Sequence, residues 1–181
     1  ARQVGSPGRR RHRDTAARIG PVTSAAGMTR LEATVRRSPY IDDSITGGIA
    51  VTAADPGLLD AVSGTLHAGR FLDTSPSDVP TVVLGADAAR RLGITSVAGH
   101  PRVWITDSHG DGQWFAVIGI LDATPLAPEL DGAALIGYGV AATLYETTTS
   151  PSTLYVRSDP EKVEAVRAVL GRSIDPDSPN E

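Results

Sequence analysis

The densest cluster of chemically able side chains is Asp107-Ser108-His109-Gly110-Asp111-Gly112, with oxygen or nitrogen ligands at alternate positions and a glycine at the sixth. That spacing opens like a calcium-binding loop. Such a loop needs a bidentate carboxylate at its twelfth position, and here that position is Ile118, inside an apolar run. Gly, Asp and Ser are also the residues a tight polar turn demands, and a hairpin turn is the simpler reading. A metal-assisted hydrolytic site on Asp107, His109 and Asp111 is the alternative chemistry this stretch permits.

Other reactive types are scattered. None of His12, His67, His100 and His109 has a second histidine at helical metal-binding spacing. Ser63 lies in an apolar stretch before Gly64, with no Gly-x-Ser-x-Gly elbow to activate it. Leu84-Gly85-Ala86-Asp87 turns from a strand into a helix but lacks the glycine spacing and lysine of a phosphate loop, and Asp87 would repel phosphate. Ala68-Gly69-Arg70-Phe71-Leu72-Asp73 reads as a turn in which Gly69 frees the backbone, Phe71 plugs the core and Arg70 pairs with an acid such as Asp73. No catalytic, cofactor-binding or metal-ligating residue is assigned, and no cofactor is expected.

Composition narrows the classes further. Of 181 residues 40% are hydrophobic but only 4% aromatic, so the core should be aliphatic. Arg2, Arg9, Arg10, Arg11 and Arg13 precede residue 14 without an acid among them. Setting those five aside leaves 12 of the 17 basic groups against 21 acids, a net charge of −9 on the remainder. An acidic body argues against nucleic acid as a partner. The absence of cysteine removes disulfides and Cys-based zinc sites. The longest apolar run, residues 114–121, is far short of the roughly 18 residues a membrane helix needs. With no starting Met and no apolar signal region, the chain is expected to be a fragment or an excised domain.

The elements that must position these residues are short. Residues 1–14 form a basic tail and residues 173–181 a Pro/Asp-rich one, around a domain at 15–172. Strands are expected at 30–36, with Leu31, Ala33 and Val35 on a dry face and Arg36 on the wet one, and at 48–53. Asp55 and Pro56 then cap a helix carrying Leu58, Leu59 and Val62. Residues 68–78 are turn-rich. The β-branched run 81–84 predicts a strand buried on both faces, followed by a helix with Asp87 in its first turn and Gly93 as its stop. Residues 102–106 and 113–121 predict a hairpin, 133–136 another strand, and Val140, Ala141 and Leu144 one face of a short helix. Residues 153–157 alternate as a strand. A last helix follows from Asp159 and Pro160 to Gly171. The fold class is α+β, a mixed sheet with short capped helices, in one body or two lobes.

In this order the segments resemble the periplasmic core domain of MacB-like and FtsX-like permeases over about residues 49–170. The resemblance is carried by Asp-Pro-Gly-Leu-Leu at 55–59, Ala-Gly-Arg-Phe-Leu at 68–72, Pro-x-Val-Val-Leu-Gly at 80–85 and Ala-x-x-Leu-Gly at 89–93. Phe-x-Val-x-Gly-Ile-Leu at 115–121, the proline-bearing loop 125–131 and Leu-Tyr-Val-Arg at 154–157 complete it. The resemblance implies a non-enzymatic extracytoplasmic domain of a bacterial ABC transporter permease in the cell membrane. It would transmit ATP-driven motion of membrane helices to the export, release or activation of an envelope partner. An ABC-type ATPase subunit, a second permease copy in a dimer, and an envelope substrate or protein are the partners implied. A stand-alone envelope binding or sensor module of the same fold is the alternative. The arginine run at 9–13 departs from this picture, because positive charge beside a membrane span favours the cytoplasmic side.

Overall fold

The computed structural model describes residues 22–42, 44–45, 47–73, 80–145 and 151–158. The expected tails and the last helix, 159–171, lie outside the described residues.

Among the described residues nine strands join in one mixed sheet. They are β1 (Val22–Leu31), β2 (Ala33–Arg36), β3 (Ala50–Ala54), β4 (Leu66–Gly69), β5 (Thr81–Leu84), β6 (Arg102–Asp107), β7 (Gly112–Leu121), β8 (Ala133–Gly137) and β9 (Thr153–Ser158). The helices among the described residues are short: α1 (Leu58–Ala61), α2 (Ala86–Arg91) and α3 (Tyr138–Leu144), with a 3-10 turn at Pro128–Leu130. The strand order is β2-β6-β7-β5-β8-β3-β1-β9, and β4 pairs with the far end of β7. Two pairs, β3 with β8 and β5 with β7, are parallel. This is the expected α+β architecture.

Alternation along the central strands feeds two cores, one on each face of the sheet. Val82, Leu84, Ile105, Phe115, Val117 and Ile136 belong to one, which α2 and α3 cover with Ala88, Ala89 and Ala141. Val83, Leu121, Ala133 and Leu135 belong to the other, closed by Leu58 and Val62 at α1 and by Leu130. Strand β5 is therefore buried on both faces, as its unbroken β-branched run predicts.

The stretch expected as one strand at 30–36 is bent at Glu32. Before the bend β1 pairs with β3 and β9; after it β2 pairs with β6, so one run of chain ties distant parts of the sheet together. Strand β1 also begins earlier than expected, at Val22, because its Ser24–Gly27 stretch lacks alternation and is held by pairing with β9. Arg36 is buried, not on a wet face. Its guanidinium donates to the Ile41 carbonyl at 2.6 Å and to Thr106 Oγ1 at 2.7 Å, which offsets its desolvation. Part of the turn-rich segment is strand as well: 66–69 form β4 on the edge that β7 offers beyond its pairing with β6.

Asp55 does not cap α1. Gly57 holds the N-cap position without a side-chain bond, and the buried Asp55 carboxylate instead accepts the Gly27 N–H at 2.8 Å, linking β1 to the end of β3. Asp55→Ala leaves that amide without its acceptor. Equilibrium denaturation is expected to show a loss of about 2 kcal/mol.

Candidate functional site

The Asp107–Gly112 segment is the turn of the β6–β7 hairpin. Asp107 Oδ1 accepts the backbone N–H groups of both His109 and Asp111 at 2.9 Å, and Gly110 takes a φ of +91°. The carboxylate that would begin a cation loop therefore organises the turn itself. His109 is 85% exposed, its Nδ1 4.0 Å from the Asp107 carboxylate. Ile118 lies within β7. Among the described residues no three His, Asp or Glu side chains converge on a point that could hold a metal ion.

An open groove of about 570 Å³ runs beside this turn, lined by Arg30, Glu32, Asp107, His109, Asp111 and, where α3 ends, Tyr145. Burial, and secondarily the Asp107 charge, push the Tyr145 phenol well above its ordinary range, so it stays protonated. Both charge signs line the groove. Among the described residues no desolvated acid and base face each other there, the arrangement that acid–base chemistry requires.

The remaining candidates separate. His67 Nδ1 lies 3.6 Å from Asp122 Oδ1 on an exposed surface, and His100 sits at φ +53° before β6. His12 lies outside the described residues. Ser63 takes φ +54° just beyond α1, where its N–H closes the helix on the Asp60 carbonyl. At the start of α2 the Asp87 and Ala88 N–H groups, which a phosphate would need, both donate to the Asp131 carbonyl at 2.9 Å, and the Asp87 carboxylate pairs with Arg90. Arg70 pairs with Asp73. Phe71 is only partly buried against the second core, and Leu72, 7% exposed, is the residue that plugs it.

Sequence reading missed a second hollow of about 530 Å³, lined by Arg37, His100, Arg102 and Trp114. It lies on the solvent face of β6 and β7, where cross-strand pairing sets Trp104 opposite Trp114. Their rings meet edge to face, with centroids 5.4 Å apart and planes at 76°. Strand parity was the available signal: Arg102 and Trp104 alternate with the buried Val103 and Ile105. On the opposite face Gln113 pairs across from Ile105, and its Nε2 is buried without a hydrogen-bond partner among the described residues. Gln113→Leu removes that orphaned donor, and urea denaturation is expected to show a gain of about 1 kcal/mol.

Comparison with known proteins agrees with this architecture. No curated protein matches the chain in sequence. The periplasmic region of MacB from Actinobacillus actinomycetemcomitans superposes with a TM-score of 0.66 at 15% identity, over 92% of this chain and 73% of that one. The extracellular domain of YknZ, a noncanonic ABC-type transporter from Gram-positive bacteria, gives 0.64 at 17% identity, over 91% of this chain and 80% of that one. These likenesses establish the fold. The model of the MacB-like periplasmic core domain matches residues 3–172, nearly the whole sequence, and the chain belongs to that family.

Proposed function

We propose that this chain is the extracytoplasmic domain of an ABC transporter permease subunit, and that it transmits force and shape change without chemistry of its own. Family membership across residues 3–172 carries the reading. Two structural features support it. One sheet with a core on each face resists shear and bending, as a lever must. The buried polar residues also serve structure: Arg36 is bonded to Thr106, and Asp55 holds the Gly27 amide at a distance from both.

No helix among the described residues is long and apolar enough to cross a membrane. Membrane helices would be supplied by flanking sequence, and an ABC-type ATPase on the cytoplasmic side would drive them. Pairing of two permease copies would let closure of the ATPase dimer move two such domains together. The outward result would be export, release or activation of an envelope partner.

The test is co-purification. The natural polypeptide containing this segment, expressed from its own gene neighbourhood, is expected to extract from membranes in detergent together with an ATPase subunit. A gene product that is secreted free of the membrane, with no associated ATPase, contradicts the proposal.

A further inference from the structure

We infer that the hollow formed by Arg37, His100, Arg102 and Trp114 is a docking site for an acidic segment of a partner protein. Charge is the first observation. The described residues hold eight Arg against eleven Asp and Glu, a net charge of −3, yet three cationic or protonatable side chains and no carboxylate among them line this hollow. Such a local concentration of positive charge attracts an anionic group.

The second observation is a preorganised anchor. Both tryptophans of the chain lie here. Trp114 is 40% exposed, and the edge-to-face contact with Trp104 holds its ring in place, so less side-chain entropy is lost when a partner covers it. Arg37 is steadied too, donating from its guanidinium to the Arg102 carbonyl at 3.0 Å. An immobilised Trp flanked by Arg is the composition that dominates binding energy at protein interfaces.

The tryptophan and arginine pairing selects between anionic occupants. Two arginines beside a ring that its neighbour holds in place form a small, shaped site, which suits a narrow peptide carrying both carboxylates and apolar groups. An acidic protein segment is therefore the occupant. The inference rests on the reading of this domain as one that meets an envelope partner, and it adds the place and the chemistry of that meeting.

The test uses the 181-residue chain, a short fluorescent peptide of Asp, Glu and Gly, its Asn/Gln/Gly analogue, and vesicles of phosphatidylglycerol and phosphatidylcholine. The acidic peptide is expected to bind, to perturb tryptophan fluorescence and to weaken as salt is raised. The doubly substituted R37E/R102E chain, whose changes are on exposed side chains, should keep its circular dichroism and lose roughly tenfold or more in affinity. Trp114→Ala should weaken binding as well. Equal binding of the neutral analogue, an unchanged affinity in R37E/R102E, or capture by the vesicles with no peptide binding overturns the inference. Its failure is separable from failure of the functional proposal: loss of ATPase co-purification removes the coupling role and leaves peptide binding to be read on its own.

Discussion

Phe115→Ala is expected to destabilise the domain by about 4 kcal/mol in urea unfolding. Phe115 is fully buried in the core beneath α2 and α3, the largest side chain there, in a chain with only 4% aromatic residues. The buried members of its core are Val, Ile and Ala apart from Leu31 and Leu84, mostly short or stiff side chains that do not readily swing into the space left behind. The cost therefore combines the lost transfer free energy with that of a cavity the surroundings do not fill. Phe115→Leu keeps most of the volume and should cost about 1 kcal/mol. A loss below about 1 kcal/mol for the alanine variant would mean that this core collapses around the gap, contrary to a stiff interior.

Gly69→Ala is expected to cost about 3 kcal/mol by the same measurement. Gly69 ends β4 at φ +77°, a left-handed conformation that a Cβ disfavours, and a Cβ there would lie 2.1 Å from the Ile118 carbonyl oxygen of β7. The contact is reciprocal, since a Cβ on Gly119 would lie 2.2 Å from the Arg70 carbonyl oxygen. Two facing glycines thus let β4 close on β7 while Arg70 N–H donates to Ile118 O at 2.9 Å. Gly132→Ala is the control. Nothing lies within 4 Å of a Cβ there, and the effect should stay within about 0.5 kcal/mol.

Residues whose roles are set by their own neighbours were legible in the sequence. Thr81-Val82-Val83-Leu84 reads as a doubly buried strand because its β-branched residues run unbroken, and the Asp107–Gly112 turn because its residue types serve no regular element. Roles set by distant pairing were not legible. Ser24 to Gly27 carry no apolar alternation, and only β9, more than a hundred residues away, makes them a strand. Arg36 looks like a surface residue until Thr106 is brought beside it, and Asp55 like a helix cap until Gly27 is. Likewise β4 exists because β7 outruns β6 and leaves an edge to be paired. The candidate docking surface was half visible. Parity places Trp104 and Trp114 on outward faces, but their contact depends on the hairpin register, and Arg37 joins them only because β2 pairs with β6.

The same contrast bears on function. Asp107, His109 and Asp111 are close in sequence and suggest chemistry, yet their geometry is that of a turn in which one carboxylate is engaged by two backbone amides. The features with the clearest structural purpose are those that stiffen the sheet. A stiff body is what a transmitter of motion needs.

The proposed motion can be measured with one introduced thiol, because this domain has no cysteine of its own and any cysteine elsewhere in the assembly can be replaced beforehand. Leu126, 73% exposed on the loop after β7, is a suitable position for Leu126→Cys. In the natural permease, assembled with its ATPase in lipid nanodiscs, the distance between spin labels on two copies is the decisive quantity. The account predicts that this distance shifts between nucleotide-free and ATP-bound states. Labels that give no pair distance, or one unaffected by ATP, would contradict it.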